Sequence, residues 1–324
     1  MKSILVTGCA GFIGSHVSEK LLKMGYKVIG IDNFSKFYDK KIKQRNLEPL
    51  IANPNFQFKE LDIRNKDALF KEINEAVDIV VHLAAKAGVR PSILDPEAYI
   101  DVNIKGTHHL LQWMQEYHCK KLFFASSSSV YGNSMSDEAF IENEKDVKPI
   151  SPYAFTKRSA ELMNHTYHHL YHFDIINARF FTVYGPRQRP DLAIHKFVKL
   201  IDNNSPIEMY GDGSTARDYT YIDDTVDGIL KGINYLLQNE GVYETINLGN
   251  QTPVPLKQLI DLIYKEMGQE PTIKQLPMQD GDVNITHANI DKAKQLLNYQ
   301  PKTDMKTGLK KFVAWYFEEK NRRI

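Results

Sequence analysis

Cysteine is scarce in this chain: 324 residues carry 2, Cys9 and Cys119, far apart in sequence, which gives no disulfide framework. Long apolar runs are also missing, so no stretch approaches the roughly 20 residues a membrane-spanning helix needs. Neither sign of charge is in excess. Lys and Arg number 41 against 40 Asp and Glu, a net charge of +1 with the signs evenly mixed, so neither nucleic acid nor membrane is expected as a partner. Met1-Lys2-Ser3 runs straight into a strand pattern without a signal-peptide core, and the reducing cytoplasm is the expected location. No internal repeat or low-complexity tract interrupts the chain.

What is present begins at the amino terminus. Ser3-Ile4-Leu5-Val6-Thr7 is a run of strand formers leading into Gly8-Cys9-Ala10-Gly11-Phe12-Ile13-Gly14, followed by a helix-like stretch to Met24. Glycines at those three spacings allow a tight reversal, close backbone approach to a pyrophosphate, and close helix-on-strand packing. The helix amino terminus then faces the phosphates. A second strand, Lys27 to Ile31, ends in Asp32, where a carboxylate binds ribose hydroxyls and repels a 2′-phosphate, favouring NAD over NADP.

Further strand signals fall at Phe56–Phe58, Asp78–Val81, Lys121–Phe124 and Asp174–Asn177, separated by helical segments that include Lys66 to Glu75, Pro96 to Tyr117 and Pro152 to Tyr171. This alternation predicts an α/β fold, a doubly wound parallel sheet of the Rossmann type with a smaller α/β substrate-binding lobe. Turn-rich composition after Arg179 marks the second lobe. Residues 1–179 plus about 222–248 are expected to form the dinucleotide-binding domain, and about 180–221 with 249–324 the smaller lobe. The carboxyl ends of the strands place Asp32, Asp62, Ala84-Ala85 and a serine run in one crevice.

Tyr153 and Lys157 lie four residues apart after a helix-start signal, Ser151-Pro152, so one helical turn brings phenol and ammonium to one face. A free tyrosine, with a pKa of about 10, acts as a base near neutrality only beside positive charge. A unit charge about 4 Å away at an effective dielectric of 20 is worth about 4 kcal/mol before screening, which is enough. Upstream, Ser126-Ser127-Ser128-Ser129 contains no carboxylate. His165, His168, His169 and His172 follow helical spacing but no Cys or Glu ligand accompanies them, so no metal is expected. Asp62 has two readings, a partner of the adenine amine or a cap on the helix that begins near Lys66.

Taken in order, these residues resemble the extended short-chain dehydrogenase/reductase superfamily, in its nucleotide-sugar branch. The resemblance covers essentially the whole chain and adds His82-Leu83-Ala84-Ala85, Val130-Tyr131-Gly132 and Arg217 to Asp224 to the motifs above. Within the branch the chain looks most like the UDP-glucuronate 4-epimerases, through Ala87-Gly88-Val89-Arg90, Ala125 to Gly132, Arg179 to Pro186, Arg189-Pro190-Asp191 and Gly281-Asp282-Val283. One departure is Pro186-Arg187-Gln188-Arg189, where many members carry Trp-Gly before the last arginine.

The resemblance implies reversible C4 epimerisation of a UDP-sugar through a 4-keto intermediate, with tightly held NAD. Ser127, Tyr153 and Lys157 would be catalytic. Gly8, Gly11, Phe12, Ile13 and Gly14, then Asp32, Asp62 and Ile63, then Ala84 and Ala85 would hold the cofactor, together with Tyr153 and Lys157. Arg217 would meet the diphosphate and Asp282 the uridine ribose, while Ser128, Ser129, Thr182 and Arg189 would hold a uronate carboxylate, with Arg90 approaching sugar or phosphate. A homodimer through the helices at 96–117 and 152–171 is also implied. Related dehydratases carry Asp-Glu in place of Ser128-Ser129, and elimination needs such an acid and base. A UDP-N-acetylhexosamine 4-epimerase, a UDP-N-acetylglucosamine dehydratase, and an NAD-binding sensor or scaffold remain as alternatives, because a fold does not fix a function.

Overall fold

A computed structural model describes residues 1–133, 138–144, 147–277 and 283–322. Twelve strands lie among the described residues: β1 (Ser3–Thr7), β2 (Lys27–Asp32), β3 (Phe56–Glu60), β4 (Ile79–His82), β5 (Lys121–Ser127), β6 (Asp174–Phe180), β7 (Thr182–Tyr184), β8 (Ile207–Tyr210), β9 (Ala216–Tyr221), β10 (Tyr243–Leu248), β11 (Pro253–Pro255) and β12 (Ile273–Leu276). Seven form one parallel sheet in the order β10-β6-β5-β4-β1-β2-β3. The strand order reverses between β1 and β4, and that switch point opens a crevice at the carboxyl ends of the strands.

The strands read as continuous apolar runs because helices cover both faces of the sheet. On β5, Phe123 and Ala125 point to the face covered by helices Phe12–Lys23 and Ile222–Gln238. Leu122 and Phe124 point to the face covered by helices Lys66–Glu72, Thr107–Glu116 and Pro152–Tyr171. After β9 the Ile222–Gln238 helix leads into β10, which pairs in parallel with β6 at the edge of the large sheet.

The remaining strands make two small sheets, β11-β9-β7 and β12-β8, which with helices Ala193–Asp202, Leu256–Met267 and Met305–Asn321 stand over the crevice. Thr182 and Tyr219 pair at the start of the β7–β9 ladder. No helix among the described residues is long and apolar enough to cross a membrane.

The segment expected as one helix from Pro96 to Tyr117 is interrupted. Pro96–Tyr99 and Thr107–Glu116 are α-helical, but Ile100–Gly106 between them winds with the wider π spacing. Tertiary hydrogen bonds hold this wider turn. Buried Asn103 accepts from the Lys86 amide (2.8 Å) and donates to the Lys86 carbonyl (3.0 Å) and to Thr156 Oγ1 (2.9 Å).

Candidate active site

The glycine turn is built by collision avoidance. Gly8 has φ +73°, and a Cβ there would sit 2.9 Å from the Ala84 amide nitrogen, while a Cβ on Gly14 would lie 2.1 Å from the Gly8 carbonyl oxygen. Gly11 differs, since a Cβ there would meet only that same oxygen at 3.2 Å. Gly11 is the N-cap of the Phe12–Lys23 helix, with no side-chain cap on the amides that follow. These amides open on a cavity of about 830 Å³ lined by Gly8, Gly11, Phe12, Ile13 and Gly14. A helix amino terminus without a first-turn carboxylate, opening on such a cavity, fits a diphosphate.

At the end of β2, buried Asp32 accepts from the Phe34 amide (2.8 Å) and more weakly from the Ala10 amide (3.3 Å). Burial pushes its carboxyl pKa up, and the Lys43 ammonium at 3.9 Å opposes the rise. Lys43, Asn33, Phe37 and Tyr38 line the same cavity and were not singled out from the sequence. Lys43 lies one turn into the Lys40–Ile51 helix, whose start is marked by Asp39, the N-cap accepting from the Lys41 amide at 2.9 Å. That capping aspartate was the available signal.

Asp62, Ile63, Ala84 and Ala85 also line the cavity. The helix that begins at Lys66 is capped by Asn65, which accepts from the Ala68 amide at 3.1 Å, so the capping reading of Asp62 is corrected: Asn65 stands one residue before the helix and Asp62 does not. Asp62 instead pairs with Arg64 (2.7 Å) and accepts from Asn33 (2.9 Å), which holds its pKa down at about 2.

His82 explains how the Leu83-Ala84 turn is fixed. Thr107 gives its proton to the Asn103 carbonyl (2.6 Å), so its oxygen accepts from His82 Nε2 (3.0 Å). Nδ1 therefore accepts from Thr7 Oγ1 (2.7 Å), whose oxygen in turn accepts the Leu83 and Ala84 amides at 3.2 and 3.0 Å. Burial depresses the imidazole pKa to about 3, so the ring stays neutral throughout. Thr156, on the far side of Asn103, donates to the Tyr153 carbonyl (2.8 Å), which extends the chain from β1 to the Pro152–Tyr171 helix.

That helix starts at Ser151, whose side chain caps the Ala154 amide (3.1 Å), and Pro152 occupies its first turn. It brings Tyr153 and Lys157 to the cavity beside Ser127, Ser128 and Ser129 at the end of β5. The Ser127 side chain lies beside the phenol and favours its ionised form. Ser127 Oγ also accepts from Ser129 Oγ (2.9 Å) and from the Ser129 amide (3.2 Å), so in this arrangement Ser129 supports Ser127.

Burial pushes the Tyr153 pKa up, and the Ser127 hydroxyl and the Arg189 charge oppose the rise. The sequence pointed to Lys157 as the opposing cation. Lys157 is turned away toward the Ala125 carbonyl (2.7 Å), and burial lowers its own pKa to about 7. Behind it, Glu161 forms a buried hub with Arg179 (2.9 Å), Ser126 (2.5 Å) and Arg158 (2.8 Å), locking the helix to β5 and β6.

Thr182 on β7 and Arg217 on β9 come from the smaller sheets, Arg189 from the loop after β7, and Arg90 from the short helix Val89–Leu94 that follows β4; all line the cavity. Arg90 lies over the Tyr210 ring at 5.4 Å, and Arg217 donates to the Ala216 carbonyl at 2.9 Å. Asp282 and Gly281 lie outside the described residues. Arg187, the departure from the common pattern, has φ +64° and bonds Glu19 on the first helix at 2.9 Å.

A mononucleotide-diphosphate cradle, a tyrosine–serine–lysine set and a second lobe meeting at one crevice define a site type, and comparison with known proteins assigns it. The sequence model of the family described as GDP-mannose 4,6 dehydratase matches residues 5–312. The chain belongs to that family of extended short-chain dehydrogenases/reductases. Within it, a UDP-glucuronate 4-epimerase of Thermodesulfobacterium geofontis is 45% identical over 96% of this chain and 95% of its own length. Among solved structures, the UDP-glucuronic acid 4-epimerase of Bacillus cereus, in complex with UDP-glucuronic acid and NAD, superposes with a TM-score of 0.91 at 37% identity, covering 98% of this chain and 99% of its own. The UDP-glucose 4-epimerase of Thermotoga maritima, with UDP-glucose, gives 0.89 at 32% identity and the same coverage of both chains.

Proposed function

We propose that this family member is an NAD-dependent UDP-sugar 4-epimerase acting on UDP-glucuronate and UDP-galacturonate. Supporting this reading most directly, Tyr153 partners Ser127 within a serine run that offers no carboxylate. NAD held at the glycine turn and Asp32 would supply hydride acceptance and return at C4 and end each cycle unchanged.

The protein's own part is to move one proton and hold one sugar. Tyr153 takes the C4 hydroxyl proton, and Ser127 hydrogen-bonds the same oxygen and steadies the charge that develops there. The Arg189 charge favours the phenolate form of Tyr153, and Lys157, held on the Ala125 carbonyl, would meet the nicotinamide ribose. Ser128, Ser129, Thr182 and Arg189 hold a sugar carboxylate, Arg217 takes the diphosphate through paired guanidinium donors, Arg90 assists it, and Asp282 takes the uridine ribose. Asp62, Ile63, Ala84 and Ala85, which line the same cavity, would also hold the cofactor.

Residues 1–179 with about 222–248 would carry the cofactor, and about 180–221 with 249–324 the nucleotide sugar. The same reading places the protein in the cytoplasm and pairs two copies through the segments 96–117 and 152–171. Phe155, Leu162 and Leu170, about half exposed on the Pro152–Tyr171 helix, supply apolar surface for that pairing.

Incubation of the purified protein with UDP-glucuronate, UDP-glucose and UDP-N-acetylglucosamine, followed by NMR of the products, tests the assignment. UDP-galacturonate is the expected product. Turnover of only the two uncharged sugars would remove the uronate reading, and a 4-keto-6-deoxy or 5,6-ene product would make the protein a dehydratase.

A further inference from the structure

Arg189 lines the cavity between Phe37 and the Ala87 carbonyl, and its charge favours ionisation of the Tyr153 phenol. It does not stand there as an isolated positive charge. Asp191, two residues on, holds it by two parallel bonds, Nε to Oδ1 at 3.0 Å and Nη2 to Oδ2 at 2.7 Å. The Phe37 ring lies 5.0 Å from the guanidinium carbon and the Ala87 carbonyl accepts from Nη2 at 3.4 Å, which fixes the plane of the group between loops of the large sheet. Asp191 itself lines the cavity, and its side chain is more open than its partner's, 37% exposed against 17%.

Two consequences follow from that pairing. The Nε/Nη2 edge, the fork best suited to grip a carboxylate, is already taken by a carboxylate of the protein. A negatively charged sugar entering the cavity meets a neutral pair, competes with Asp191 for the fork, and is repelled by it. A sugar with an uncharged C6 group meets neither effect. We propose that Asp191 is a specificity-determining residue that offsets the charge of Arg189 and so sets the preference of the site between uronate and neutral sugars. With Asp191 in place, the neutral donors Ser128 and Thr182 carry more of the carboxylate recognition, and neutral UDP-sugars are less strongly excluded. The identity of the sugars rests on the 4-epimerase reading; the charge argument does not.

The test compares wild type, Asp191→Asn and Asp191→Glu by calorimetric binding of UDP-glucuronate and UDP-glucose and by turnover of both. Asn keeps the shape and one acceptor for the fork but removes the charge. Asp191→Asn should tighten UDP-glucuronate relative to UDP-glucose by about fivefold, while Asp191→Glu keeps the wild-type ratio. An Asp191→Asn ratio that stays at the wild-type value, or moves toward UDP-glucose, overturns the inference. A lowered melting temperature with an unchanged ratio also overturns it, because a purely structural pair behaves that way. If wild type epimerises UDP-glucuronate and the ratio does not move, this inference fails and the epimerase reading stands; if the ratio moves without any C4 product from wild type, the reverse holds.

Discussion

The two ends of the cavity are built by different means. At the proposed cofactor end, recognition would be carried largely by backbone: a turn in which Gly14 has no room for a Cβ, the amides of the Phe12–Lys23 helix, and Asp32 locked by the Phe34 amide. At the sugar end it would be carried by side chains that engage one another, Ser129 on Ser127 and Asp191 on Arg189 within their own segments, and Ser127 beside Tyr153 of the Pro152–Tyr171 helix. A backbone site tolerates little change and serves one class of ligand. A side-chain site can be retuned by single substitutions, which accords with relatives of the same fold being named for different sugars.

The sharpest way to separate the two ends is Tyr153→Phe. Removing the proton acceptor should lower kcat by about 10²- to 10⁴-fold, measured by product NMR, while the NAD content of the purified protein stays at the wild-type level. Loss of NAD together with activity would erase the distinction between the ends.

Next in size is the contrast between two glycines. Gly14→Ala places a Cβ 2.1 Å from the Gly8 carbonyl oxygen and should cost about 1–3 kcal/mol of stability together with NAD. Gly11→Ala meets the same oxygen at 3.2 Å, so the melting temperature should fall less while NAD affinity still drops. Thermal unfolding and NAD released on heating distinguish the pair.

The smallest effect concerns Lys157, whose pKa falls from the model-compound value of 10.5 to about 7 on burial. Between those values the unfolded chain binds more protons than the folded one, so stability rises with pH across that window and is lost as pH falls toward 7. Lys157→Met abolishes this dependence. The melting temperature of cofactor-free wild type should therefore gain on that of Lys157→Met as pH rises from about 7 toward 9, and a constant gap would show that Lys157 titrates normally.

Much of the cofactor end could be read from sequence because its signals are local. The strand, the glycine spacing and Asp32 lie within 30 consecutive residues, and parallel strands buried on both faces appear as apolar runs. The Lys40–Ile51 helix was missed for a physical reason: Lys, Gln, Arg and an internal Pro49 dilute its apolar face, so periodicity alone does not disclose it, and Lys43 was missed with it. The wide turn at Ile100–Gly106 is held by Asn103 bonding to Lys86 and Thr156, partners distant in sequence. Asn65 displaced Asp62 as a cap because both are capping residue types and only the helix start decides between them. At the sugar end the residues were visible but their mutual bonds were not. The motif Arg189-Pro190-Asp191 names both residues without disclosing that they bond each other, and nothing in the sequence turns Lys157 toward Ala125.

The central claim is that C4 is oxidised and reduced within one active site by a cofactor that never leaves. UDP-glucuronate carrying deuterium at C4, incubated with the protein as purified and without added NAD, tests it most directly. UDP-galacturonate with the deuterium retained at C4 is the expected product. Product in which that position has been filled by hydrogen from solvent would contradict it.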